Sequence, residues 1–187
     1  PYTLNDMAAD TVAVMDVLEI NNAHIVGASM GGMIAQVVAA QYPQRIRSLV
    51  SIMSTTGSPQ LPLPSPEASG ALLGVSTDNG AAAERREAMV ARGFYPQSMG
   101  RQMMAVFKAG DRSDAVATIT APTLVVHGAK DTLLPPPHGA HTAQLIAGSE
   151  LVVYDSMGHN IPDEVLPKLL QEMTLHMKAA DTAAMTR

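Results

Sequence analysis

Residues 24–36 run HIVGASMGGMIAQ. A short apolar stretch meets a helical one with only Gly27-Ala28-Ser29-Met30-Gly31 between them. A strand can turn into a helix this abruptly only where side chains at the crossing are small. The Gly-x-Ser-x-Gly spacing therefore predicts a sharp strand-to-helix turn, with the Ser29 hydroxyl held out over the strand end. Gly27 and Gly31 are expected to relieve the crowding there. The free N–H groups of the following helix aim at the same place. This makes the Met30 N–H a candidate oxyanion donor.

The rest of the chain repeats the alternation. Apolar runs at 24–28, 47–53 (RSLVSIM), 122–127 (PTLVVH) and 150–154 (ELVVY) predict four strands. Helical spacing predicts helices over about 3–20, 30–41, 81–92, 98–108, 136–147 and 167–180. Thr3 with Asp6 resembles a capping box, and Leu4, Met7, Ala8, Thr11, Val14, Met15 and Leu18 form the expected apolar stripe of the first helix. Leu166, Leu169, Leu170 and Met173 form that of the last. Strands that alternate with helices imply an α/β fold with a parallel sheet of about four strands, buried on both faces. The stretch 54–69 holds four prolines and reads as a loop. With the helices after it, it predicts a cap inserted at about 54–117 within a single domain spanning 1–187.

Reactive groups in such folds gather at the carboxyl ends of strands. After the third strand, HGAKDTLLP places Asp131 in a loop; after the fourth, DSMGHNIP places His159 in another. An imidazole suits a general base near neutral pH, and a buried carboxylate holds its tautomer. The chain order Ser29, Asp131, His159 is the nucleophile–acid–base order of α/β hydrolases. His127, His138 and His141 sit near Asp131, and 138 and 141 share a helix face, but their spacing matches no zinc pattern. No metal or cofactor is expected. His24 and His176 read as structural or exposed.

Composition removes other classes. The 187 residues are 47% hydrophobic, carry a net charge of −5 and include no cysteine. There is no basic run for nucleic acid or an anionic membrane, no thiol chemistry and no membrane-length apolar segment. No signal peptide is read at the N-terminus, so a cytoplasmic setting is the expectation.

VGASMGGMIAQ and SIMSTTG resemble the α/β-hydrolase superfamily, and within it the aclacinomycin methylesterase-like group. The resemblance implies Ser29 as nucleophile, Asp131 as acid, His159 as base, a cap at about 54–117, and ester hydrolysis. It also implies further strands before the first helix, and a His-Gly loop there that gives a second oxyanion N–H. The chain thus resembles the C-terminal portion of a family member. Two expectations follow. The strand ending at Ser29 has an unpaired edge, which predicts a homodimer or larger homo-oligomer; a stable monomer at micromolar concentration in the ultracentrifuge would count against it. Loss of one oxyanion donor costs about 10²–10³ in turnover, which predicts weak-to-moderate activity on short-chain or activated esters. The alternatives are an inert hydrolase fragment acting as an association domain, or a lactonase or cofactor-free haloperoxidase on the same scaffold.

Overall fold

Thr3 opens the first helix. Its hydroxyl accepts from the Asp6 N–H at 3.2 Å, and the Asp6 carboxylate accepts from the Thr3 N–H at 2.7 Å. This reciprocal capping box satisfies two donors that a helix start otherwise leaves open. A computed structural model of the chain describes residues 2–72, 87, 88, 90–93, 95 and 97–185. Their order is α1 (Leu4–Val17), β1 (Ala23–Ala28), α2 (Met30–Gln41), a 3-10 turn (Pro43–Arg45), β2 (Ile46–Ile52), α3 (Pro66–Leu72), α4 (Ser98–Ala109), α5 (Ser113–Ala117), β3 (Thr123–Gly128), α6 (Pro137–Leu145), β4 (Glu150–Tyr154) and α7 (Leu166–Met185).

The four strands form one parallel sheet in the order β1-β2-β3-β4. Parallel neighbours need crossover connections; α2 supplies the first and α6 the third. The period of two along β2 sorts its side chains between two cores. Leu49 joins Leu4, Ala8, Val38 and Val116 beneath α1 and α2. Val50 and Ile52 join Leu124, Val126 and Leu169 beneath α7.

Burial on both faces holds for β2 and β3 but not for the outer strands. Val26 on β1 is 44% exposed, and Leu151 and Val153 on β4 are 41% and 45% exposed. Central strands have neighbours and helices on every side; edge strands do not. Among the described residues, no strand pairs with the outer edge of β1.

Helix phase differs from the predicted stripes in a similar way. In α1 the buried residues are Leu4, Ala8, Val12 and Met15, while Val14 and Leu18 face outward. In α7 Leu169 is buried, while Leu166 and Leu170 are exposed. An apolar count alone does not choose between adjacent stripes one residue out of phase; the position of the sheet does. A short helix, α3, starts at Pro66 inside the stretch read as loop, where proline's fixed φ suits a first helical residue. Most of the helix expected over 81–92 lies outside the described residues. Among those described, no helix is long and apolar enough to cross a membrane.

Candidate active site

The turn between β1 and α2 is as tight as its sequence requires. Ser29 has φ 54° and ψ −121°, a conformation that L-residues rarely adopt without support from their surroundings. A Cβ on Gly27 would lie 2.1 Å from the Gly31 carbonyl oxygen, so no side chain fits there. The role expected of Gly31 belongs instead to Gly32. A Cβ at Gly31 meets open space, whereas one at Gly32 would lie 2.6 Å from the Ser54 Cβ. Ser54 closes this side of the turn, its hydroxyl donating to the Ser29 carbonyl at 3.0 Å. The Ser29 N–H donates to the Ile52 carbonyl at 2.9 Å, continuing the β1–β2 pairing past the strand end. The Ser29 side chain caps no N–H of α2. Its Oγ is left free for another partner, and the Met30 N–H stands in the first turn, where helices have no internal acceptor.

Asp131 and His159 meet Ser29 across the carboxyl edge of the sheet. His159 Nε2 lies 2.9 Å from Ser29 Oγ, and His159 Nδ1 lies 2.7 Å from Asp131 Oδ2. The other carboxylate oxygen accepts the N–H groups of Leu133 and Leu134 at 2.9 and 2.8 Å. Asp131 is buried. Burial pushes its carboxyl up, but the bonds from His159 and Leu134, with the nearby imidazoles, outweigh this and hold it below the ordinary carboxylate range. An ionised Asp131 fixes the Nδ1–H tautomer of His159 and leaves Nε2 to accept the serine proton.

Two backbone bonds lock the acid and base loops together. Lys130 N–H donates to Met157 O, and Ala129 N–H donates to Tyr154 O, both at 3.0 Å. Gly128 permits this approach, because a Cβ there would lie 2.3 Å from Met157 O. Gly32, Ser54 and Gly128 went unread in the sequence. The Gly128 signal was a glycine between a strand and the candidate acid; Ser54 carried none, since its partner is 25 residues away.

The remaining histidines bind protein groups. His24 contacts Ser48 and Asp181 at the opposite end of the sheet, and His176 is half-buried with its Nε2 3.3 Å from Pro122 O. His138 and His141 do share a face of α6, and both hold the segment after β2. His138 Nδ1 lies 2.7 Å from Thr55 Oγ1 and its Nε2 2.9 Å from Pro62 O; His141 Nδ1 lies 3.0 Å from Thr56 Oγ1. Burial lowers the His138 pKa below 6.5, against the opposing effect of its bond to Pro62. As pH falls through 6.5, the unfolded chain takes up a proton that folded His138 resists, so this contribution to stability is complete above that pH and shrinks below it. Asp131 acts in a separate window, since its lowered pKa makes its contribution fade only below the usual carboxylate range of 3.8. The melting temperature should therefore drop between about pH 7.5 and about pH 5, and drop less in His138→Gln. Equal drops in the two proteins would exclude His138 as the source.

The chain belongs to the alpha/beta hydrolase fold family, whose profile matches residues 1–108. It resembles rhodomycin D methylesterase DauP of Streptomyces sp. (strain C5), at 26% identity over 96% of this chain and 75% of that protein. Membership and relatives of this kind make it a carboxylic ester hydrolase. Among solved structures, the meta-cleavage product hydrolase of Pseudomonas fluorescens IP01 shares the fold, with a TM-score of 0.80 at 22% identity over 96% of this chain and 73% of that one. Est816, described as an N-acyl homoserine lactone degrading enzyme, is 31% identical over 85% of this chain and 69% of its own, with a TM-score of 0.65.

Proposed function

We propose that the chain is a serine esterase working through an acyl-enzyme on short-chain or activated esters. The observation that carries this reading is the continuous relay Asp131–His159–Ser29, with contacts of 2.7 and 2.9 Å. His159 Nε2 takes the Ser29 proton as Oγ attacks the ester carbonyl. The oxyanion that forms accepts the Met30 N–H. Collapse of the tetrahedral species expels the alcohol, which takes its proton from His159. Water then repeats the sequence on the acyl-enzyme, frees the acid and restores Ser29. The described parts of the expected cap, residues 54–72 and 97–117, are read as shaping the substrate side, and much of the rest of it lies outside the described residues.

The identity to Est816 supports a second reading, that the preferred ester is cyclic. Lactone opening uses the same steps, except that the alcohol stays attached to the acyl group. The discriminating experiment labels the chain with a fluorophosphonate and then measures turnover on p-nitrophenyl esters and N-acyl homoserine lactones. Label on Ser29 with turnover of open-chain esters is expected. Preference for the lactones would favour the second reading. An unlabelled chain that cleaves neither would overturn both and favour an inert association domain.

A further inference from the structure

His127 is the next-to-last residue of β3, with its ring fully buried, and the proposed chemistry leaves it unused. Its Nε2 lies 2.7 Å from the Leu134 carbonyl and 3.6 Å from Asp131 Oδ2. Its Nδ1 is buried with no hydrogen-bond partner. A buried N–H without an acceptor is costlier than a bare ring nitrogen facing apolar atoms, so the proton belongs on Nε2, which donates to Leu134. The ring has no room to turn away. A Cβ on Gly139 of α6 would lie 2.6 Å from its Nδ1 and 2.8 Å from its Cγ, so the imidazole packs directly on the helix backbone.

The same residue, Leu134, faces both ways. Leu134 gives its carbonyl to His127 and its N–H to Asp131 Oδ1. Asp131 Oδ2 in turn meets His159. Contacts thus run unbroken from the α6 backbone through His127 and Leu134 to the carboxylate that orients the base. We infer that His127 is a positioning residue: seated against Gly139, it clamps the 131–134 turn through Leu134 and so fixes the direction in which Asp131 presents its carboxylate to His159. This role rests on the esterase reading. Titratable groups facing the ring are Asp131 and, from α6, His138.

Three variants of the whole chain test this: His127→Leu, His127→Gln and Gly139→Ala. The readouts are kcat and KM on a p-nitrophenyl ester across the pH range, the rate of fluorophosphonate labelling, and a melting curve to establish folding. Leucine fills the space but cannot donate. It should lower kcat by roughly 10- to 100-fold, the cost of a catalytic group held about an ångström out of place, with KM little changed. The acid limb of the pH profile should move, because the carboxylate then faces the base from a different position. Glutamine carries an N–H at nearly the reach of Nε2 and should recover most of the rate and the native acid limb. A purely packing role predicts the reverse, with leucine at least as good as glutamine and no movement of the limb; that result overturns the inference. If His127→Leu does not fold, Gly139→Ala decides, since it changes no polar group and the nearest atoms its Cβ meets are those of the His127 side chain: an unshifted profile overturns the inference too. A native chain that neither takes the label nor cleaves the ester removes the esterase reading first, and this role with it. A labelled, active native chain with three unaltered variants removes only the role of His127.

Discussion

Exchanging Ser29 for alanine is expected to lower kcat on a p-nitrophenyl ester by roughly 10⁶-fold, the size of effect seen when the nucleophile of such a relay is removed. The reason is local. Oγ is the only atom lost, and it is the one 2.9 Å from His159 Nε2. The fold should be indifferent. The hydroxyl caps no N–H of α2, and the backbone of residue 29 is held by bonds that alanine keeps, its N–H to Ile52 O and its carbonyl to Ser54. An unchanged melting temperature with abolished turnover, and loss of fluorophosphonate labelling, is the predicted combination. Turnover within tenfold of the native rate would remove Ser29 as nucleophile.

Asp131→Asn is expected to cost about 10⁴-fold in kcat near neutral pH while leaving the chain folded. The amide oxygen can still accept the Leu133 and Leu134 N–H groups, so the turn survives. The amide nitrogen then faces His159 Nδ1 as a donor. The imidazole must answer with a lone pair at Nδ1 and carry its proton on Nε2, where it has no capacity to accept the proton of Ser29. The lost charge also withdraws support from the imidazolium that forms during attack. Single-turnover acylation measured beside the melt separates this from simple unfolding. A folded variant that acylates at the native rate would show that Asp131 does not orient the base.

The order of Ser29, Asp131 and His159 after successive strands was legible because each lies within a few residues of a strand end, and strand ends are set by local pattern. The same locality explains the Thr3–Asp6 cap. Phase was less legible. Val14 and Leu170 looked like core residues because an amphipathic count does not know where the sheet lies. The crowding at the turn after β1 was assigned to Gly31 when Gly32 bears it, because the crowding atom comes from Ser54, just past the end of β2.

What the chain's own order determined, then, is a parallel α/β sheet with a serine at one strand-to-helix turn and an aspartate and a histidine in later loops. Short-range sterics and a two-residue period are enough for that. The distances came only with the packing of the whole chain: 2.9 Å from imidazole to hydroxyl, 2.7 Å from imidazole to carboxylate, and the seat of His127 on Gly139. These depend on how separate elements of the chain come to rest against one another. That is fixed by close approaches such as Gly128 to Met157, which exist only once the whole sheet has closed.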